Sequence, residues 1–489
     1  MSVSFVPSAQ ELLRFSPEIL LALVATALMV AESLMKDGSS RLRLAVTAFL
    51  SLLAAAVLSV VAAADPGPAF SNLLAVDGFS TFFRILVCAA GMLVVLISSS
   101  YLREHGHESG EYYALVLFSV AGQCLMAASN ELIMLFIGLE CSSIASYVLA
   151  GYLRDDKRNN EAALKYFLLG SFASAFFLYG VAWLWGASGT TSLSELRRLL
   201  LDPSSGVQGT MTAAATALLL VGLAFKVSAA PFQMWAPDVY QGAPAPVAAF
   251  LSVGPKAAAF AMFLRILMTT FLPIRERWEP VLWAVALATM VIGNFAALHQ
   301  SNIKRLLAYS SIAHAGYILV ALTAMSDTGA AAAMFYLAAY TFMNIGAFAV
   351  VTWVAGREER HVELMDLAGL ARRSPAMAAV LSIFLLSLTG VPLTAGFFGK
   401  FYIFKAALDS DLVWLAVLGL LNSAVAAYYY LRIIVMMYMH EPSSSAEPLP
   451  APAAGIRLAL AASVAGTFVL GVAPSLVLDY AAASAPMLR

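Results

Sequence analysis

The chain has 489 residues, 61% of them hydrophobic and 12% charged, with a formal net charge of −1 at pH 7. A charged fraction about half that of ordinary soluble domains excludes a soluble globular fold. The net charge itself says nothing about partners, and no nucleic acid is expected among them.

Taken in chain order, apolar runs meeting the ~20-residue requirement for a spanning helix are expected at 16–35, 42–64, 79–101, 111–128, 130–152, 161–186, 211–235, 243–270, 279–298, 305–325, 328–355, 376–408, 411–438 and 453–479. The fold class is therefore an all-α polytopic membrane protein with about fourteen transmembrane helices. The stretch before Pro17 lacks a basic region followed by a cleavage site, so it is read as a lead-in to the first retained span. The organisation is a three-helix segment (1–110), two blocks of five helices (111–270 and 279–438) and a C-terminal helix (439–489). Five is odd, so the second block enters the membrane in the opposite orientation, the inverted-repeat plan of many transporters. Lys226 and Lys400 each fall in the fourth helix of their block.

Breakers accompany these lysines. Pro231 follows Lys226 closely and cannot donate to the carbonyl of Val227, so a break is expected there. The run 376–408 is too long to cross straight, and Thr389-Gly390-Val391-Pro392 with Ala395-Gly396 supply the interruption. Pro255, beside Lys256, frees the carbonyl of Leu251. Freed carbonyls at bilayer depth need polar partners or water, so these places should line hydrated cavities.

Charge inside hydrocarbon is costly and marks functional candidates. Glu140, Lys226, Lys256 and Lys400 lie deep in apolar segments. A nearby carboxylate stabilises a buried ammonium and its withdrawal destabilises it, so a lysine near Glu140 can hold or release a proton according to distance. Lys165, about one turn inside its span, reads equally as a relay group or a snorkelling side chain. His299 and His314 read first as structural histidines and second as relays. Arg84, Arg265, Lys405 and Arg432 near span ends are read as snorkelling. Cys88, Cys124 and Cys141 lie in apolar runs without C-x-x-C spacing, and the six histidines form no H-x-x-x-H pair, so no metal, redox cofactor or disulfide is expected. With the N-terminus outside the cytoplasm, fourteen basic residues fall in cytoplasmic loops and six on the other side, which the positive-inside rule favours and which puts both termini outside.

Several segments carry a family resemblance: EYYAL from Glu111, EAALKYFLLG from Glu161, APFQMWAPDVYQGAP from Ala230, SVGPKAAAF from Ser252, KRLLAYSS from Lys304 and GFFGKF from Gly396. The chain resembles the antiporter-like subunits of the bacterial proton-pumping NADH:quinone oxidoreductase (respiratory complex I), and subunit N among them. The resemblance implies two inverted repeats with two broken helices. It makes Glu140 and Lys226 the charge pair of the first half-channel, Lys256 the connecting lysine and Lys400 the terminal lysine of the second. Lysine at 400 speaks against subunit M, and the lack of a long lateral helix after residue 479 against subunit L. It further implies a bacterial inner-membrane location between subunits M and K, with NADH, FMN, iron–sulfur clusters and quinone in the parent complex and no cofactor bound by this chain. Two other readings remain open, a subunit of a multi-subunit sodium/proton antiporter and a scaffolding subunit that pumps nothing.

Overall fold

The structure, a computed structural model, describes residues 6–36, 40–356, 359–442 and 449–488; Arg357 and Arg489, which enter the charge count above, lie outside them. A short helix α1 (Ala9–Arg14), closed by a Ser8/Glu11 capping box, leads into α2 (Ser16–Leu34), which has Pro17 in its first turn, where a missing N–H costs nothing. Then come α3 (Leu42–Ala63), a hairpin of β1 (Gly67–Ala69) and β2 (Leu74–Val76), and α4 (Gly78–His105), capped by Asp77. Next are α5 (Gly110–Ala128), α6 (Leu132–Ala150), α7 (Lys157–Ser188), the short α8 (Leu193–Leu201), α9 (Thr210–Val227), α10 (Trp235–Gly242) and α11 (Ala245–Arg265). The chain continues through α12 (Arg275–Leu298), α13 (Ile303–Thr323), α14 (Asp327–Ala355) and α15 (Leu370–Arg373). It ends with α16 (Pro375–Thr389), α17 (Ala395–Asp409), α18 (Val413–Met439), α19 (Ala454–Val472) and α20 (Ser475–Ser484).

Among the described residues, twelve stretches are long and apolar enough to cross a membrane, one being the 54-residue run Ala245–Leu298. A straight helix of that length would measure roughly 80 Å against a hydrocarbon core of ~30 Å. The run turns back at the 3-10 segment Leu272–Ile274, beyond the π-turn Ile266–Phe271. Helix α11 is fixed at both ends: Arg265 pairs with Asp77 on the face that carries the hairpin, while the Ala245 amide reaches Glu359 beside Lys304 on the opposite face. Counting α11 and α12 separately, and α9 with α10 and α16 with α17 as broken crossings, gives fourteen crossings among the described residues.

The inverted repeat is legible in the backbone. Between α5 and α6, the Leu132 amide donates to Thr191 and the Leu193 amide to Asn130, at 3.0 and 3.2 Å. On the opposite face, between α12 and α13, the Ile303 amide donates to Val362 and the Leu364 amide to Ser301, at 2.8 and 2.7 Å. The two bridges are displaced by one shift of 171 residues, from 131 to 302 and from 192 to 363. Gly122 and Gly293 obey the same shift: a Cβ on Gly122 would lie 2.6 Å from Gly138 O and Ser142 N, and one on Gly293 3.0 Å from Tyr309 O and 2.6 Å from Ala313 N. The two helical hairpins thus close by the same backbone approach, with no room for a methyl group.

Most helix ends fall within a few residues of expectation, though the crossing expected at 211–235 runs on through α10 to Gly242; the tight junction at Ser129 and Asn130 is real, α5 and α6 being separated by three residues. Three features go beyond it. The hairpin, α8 and α20 were not expected, being too short to show as apolar runs, and the last crossing ends at Val472 rather than near residue 479. Arg84 and Arg265 do not snorkel: both are buried, Arg84 paired with Glu18 at 2.7 Å and Arg265 with Asp77 at 3.0 Å. Each ion pair joins helices remote in sequence, a partner invisible in the local run of residues.

Gly122→Ala and Gly293→Ala are each expected to lower the amount of chain recovered in assembled complexes, while Gly209→Ala, whose nearest neighbour atom is 3.8 Å away, leaves it unchanged. Blue-native gels of solubilised membranes give the comparison.

Candidate functional site

The first site is organised by the end of α9. Ser228 adopts the left-handed conformation (φ 61°, ψ 40°), and the amides of Ser228 and Ala229 fold back onto Phe225 O and Ala224 O at 3.0 and 2.8 Å. The chain then crosses to α12, where the Ala230 amide donates to Thr289 Oγ1 at 2.9 Å, and resumes helix at Trp235, whose Nε1 donates back to Phe225 O at 2.9 Å. This termination leaves Lys226 in the last turn of α9, with its Nζ donating to Ser143 Oγ at 2.7 Å and Tyr147 Oη at 3.3 Å. Ser143 and Tyr147 are one turn apart on α6, and Glu140 is one turn before Ser143 on the same face. No ion pair within 4.0 Å joins Glu140 to Lys226, and Glu140 Oε1 is buried without a hydrogen-bond partner.

The second site is built on α13, where Ser310, Ser311, His314 and Tyr317 form a polar stripe at helical spacing in the middle of a buried helix. Lys256, carried past Pro255 in mid-α11, donates to Ser311 O at 3.1 Å and also to Ser311 Oγ. His314 Nδ1 lies 2.5 Å from Tyr336 Oη and its Nε2 2.9 Å from Tyr430 Oη, and Tyr430 Oη also contacts Ser310 Oγ. Asn294 links Tyr317 and Tyr429, donating to the first at 3.2 Å and accepting from the second at 3.0 Å.

Lys400 closes this network. The break between α16 and α17 is opened by Gly390 in the left-handed region (φ 98°), and Lys400 Nζ donates across it to Thr389 O at 2.8 Å. A second bond goes to Ser423 Oγ at 2.8 Å, and the ammonium stands 5.0 Å from the centre of the Tyr317 ring. The lysine therefore takes one of the carbonyls that the broken helix leaves without an amide.

Lys256, His314 and Lys400 are thus gathered around α13, Lys256 on Ser311 and Lys400 over the Tyr317 ring, and Lys226 and Glu140 form a separate group on α9 and α6. Lys165 is elsewhere: it pairs with Glu161 at 2.7 Å and Asp238 at 2.9 Å near the end of the bundle, and Asp238 also holds Arg305 at 2.6 Å. His299 caps α12 and is exposed. Sequence reasoning missed the buried Lys304–Glu359 pair, in which Glu359 also accepts from Tyr101 Oη at 2.7 Å and the Ala245 amide at 2.6 Å. Lys304 lies just before the span expected at 305–325, in what reads as a loop, and the run Arg357-Glu358-Glu359-Arg360 carries no local sign that Glu359 is buried. The tyrosines that surround His314 come from helices far apart in sequence and had no signal beyond their number.

Residues 129–426 match the family described as NADH:quinone oxidoreductase/Mrp antiporter, TM. Over 489 residues, 100% of both chains, the sequence is 59% identical to NADH-quinone oxidoreductase subunit N 1 of Solibacter usitatus. The chain belongs to the subunit N branch of this family. A chain of respiratory complex I from Thermus thermophilus superimposes with a TM-score of 0.80 at 36% identity, covering 95% of this chain and 99% of that one. A chain of the Mrp complex from Dietzia sp. shares the fold, with a TM-score of 0.85 at 23% identity over 97% of both chains.

Tyr430→Phe would remove the hydroxyl shared by His314 and Ser310 and leave a buried ring nitrogen unpartnered, at a cost of about 1–3 kcal/mol. The expected outcome is a lower melting temperature of the purified complex than for Tyr428→Phe, whose side chain is exposed; differential scanning fluorimetry reads the difference.

Proposed function

We propose that Glu140, Lys226, Lys256 and Lys400 carry protons through the centre of the membrane, with His314 as a bridging group and Lys165 and His299 in lesser, peripheral roles. The chain is a proton-translocating membrane-arm subunit of NADH:quinone oxidoreductase, a translocase whose redox cofactors sit on other subunits of the complex. The observation that supports the assignment of residues is the partner set of the three lysines. Each ammonium donates to hydroxyl groups or backbone carbonyls rather than to a carboxylate. A hydroxyl both donates and accepts, so it can take a proton on one side as it releases one on the other.

In this reading the first half works by distance. Glu140 lies one helical turn from the hydroxyl that holds Lys226, and a shift at the α9 break that brings ammonium and carboxylate together favours the charged lysine. Separation returns the lysine to neutral partners and releases its proton towards Lys256 and the α13 stripe. Quinone chemistry on distant subunits drives the cycle by changing which of these arrangements is favoured, a coupling between sites rather than local chemistry.

The functional division follows the segments 1–110, 111–270, 279–438 and 439–489, the two middle ones acting as half-channels. The neighbours in the membrane arm are taken to be subunits M and K, no cofactor is taken to bind this chain, and both termini are placed outside the cytoplasm. The side placement rests on basic residues: Arg154, Lys157, Arg158, Arg372 and Arg373 all lie on the face opposite the hairpin.

Two experiments test these assignments. Glu140→Ala and Lys226→Ala should each cut NADH:quinone turnover on the order of tenfold, equivalent to about 1.4 kcal/mol, and abolish the associated proton uptake, with Glu140→Asp milder because it keeps the charge. Assembly with an unchanged proton-to-electron ratio in Lys226→Ala would refute the role of that lysine. For sidedness, Ser204→Cys should react with an impermeant maleimide in intact cells and Asp155→Cys only in inverted vesicles, both positions being exposed; the reverse pattern would invert the topology.

A further inference from the structure

Helix α9 packs against α7 and α12 packs against α13, and α9 and α12 face each other across a slot of about 310 Å³ floored by Phe263 of α11. A stripe of α9 from Ala213 to Ala224 forms one wall, and Trp278, Val281 and Val285 of α12 form the other. Both ends of the slot are tied. At the hairpin face Arg277 Nη1 donates to Gln208 O at 2.7 Å, and one turn beyond Val285 the Ala230 amide donates to Thr289 Oγ1 at 2.9 Å. The two bonds fix the separation of the helices, and the side chains between them leave the middle open.

The lining selects an apolar occupant. Thr216 Oγ1 donates to Thr212 O at 2.8 Å and Trp278 Nε1 to Phe271 O at 2.9 Å, so neither has a free donor, and Arg277 stands at the outer mouth. A water needs two or more polar partners, and the slot does not supply them. Its dimensions then choose among apolar groups. The eleven-residue rise from Ala213 to Ala224 is about 16 Å, half of the ~30 Å hydrocarbon core and so the reach of one leaflet. A helix of a neighbouring subunit, ~10 Å across, would need roughly 1,200 Å³ over that length. That is about four times the space present. A single hydrocarbon chain fits, and the exposed Ala217 and Val281 on facing walls leave it a way in from the surrounding lipid.

We propose that one acyl chain of a phospholipid from the leaflet on the hairpin side occupies this slot, its glycerol end beside Arg277 and its terminal methyl against Ala224, Phe232 and Val285. Burying the chain there restores the dispersion contacts that the facing walls lack. The inner end adjoins the break in α9, because Ala224 O accepts the Ala229 amide at 2.8 Å in the turn that follows Lys226. The lipid tail thus backs that turn from the side of α12.

The test uses the whole complex in lipid nanodiscs containing phosphatidylcholine with a photoactivatable diazirine, placed in one preparation near the ester and in another at the end of the acyl chain. Expected from the terminal diazirine are cross-links at the inner end, on Ala224, Phe232 and Val285, and from the other cross-links near Ala213 and Arg277. This depth pattern is read on the unmodified chain and needs no variant. Ala217→Trp and Val281→Trp, which each put a ring into the slot, should weaken the inner-end labelling on the order of tenfold, while labelling of the exposed Phe167 and Phe172 on α7 stays unchanged. Labelling of α9 and α12 that ignores the diazirine position, or that both tryptophan variants leave intact, would reduce the tail to ordinary boundary lipid. A photoactivatable benzoylphenylalanine at position 217 that captures another subunit's polypeptide would make the slot a subunit contact. Any of these results overturns the proposal.

Discussion

An ammonium group at bilayer depth must be met by oxygen atoms, and the arrangement of this chain around Lys226, Lys256 and Lys400 follows from that requirement. The protein supplies such oxygens: Ser143 and Tyr147 for Lys226, Ser311 for Lys256, Ser423 and the Thr389 carbonyl for Lys400. Each oxygen has to be placed by a helix. α13, which carries Ser311 and His314, is buried along nearly its whole length, as is the neighbouring α14. α6 and α18 divide their faces, turning Ser143, Tyr147 and Ser423 to the lysines and leaving Ile144, Val148, Leu420 and Leu421 exposed.

The broken helices serve the same requirement through the backbone. Interrupting α16 at Gly390 leaves carbonyls without amide partners, which in hydrocarbon would be unstable alone. Lys400 supplies the missing donor. Lysine and break therefore solve each other's problem. The repeat shows how one plan was used for two chemistries. The displacement of 171 residues that relates the backbone bridges carries position 140 to Ser311 and Ser143 to His314. The first half thus places a carboxylate where the second places the hydroxyl that receives Lys256, and a hydroxyl where the second places an imidazole. Lys256 on α11 donates to Ser311 on α13, so that bond ties α11 to the hairpin of α12 and α13.

The parts of this arrangement legible in the sequence were those encoded locally. Span lengths, the breaks at Pro231 and Gly390, and the isolated lysines all show in a few consecutive residues, and the observed helix ends fall close to them. The parts that were not legible depend on partners distant in the chain. Arg84 looks like an interfacial side chain until Glu18, 66 positions away, is seen beside it. Lys165 reads equally as a relay or a snorkelling group until Asp238 is seen to hold it at the rim. His314 is ambiguous in sequence because its character is set by Tyr336 and Tyr430, which arrive on α14 and α18.

Buried cations in this chain therefore fall into two classes, and the difference bears on function. Arg84, Arg265 and Lys304 are paired with the carboxylates Glu18, Asp77 and Glu359. Removing charge from one member of such a pair strands the other in a medium of low polarity, at a cost of about 3–5 kcal/mol, so these pairs keep their charges and act as fixed ties between helices. Lys226, Lys256 and Lys400 have neutral partners, and losing a proton strands no opposite charge. Glu140 stands between the classes, a buried carboxylate oxygen with no hydrogen-bond partner, one turn from the hydroxyl that holds Lys226. It is near enough in the fold to bias the lysine and is not committed to it, which is the condition a switch requires and a structural ion pair does not meet.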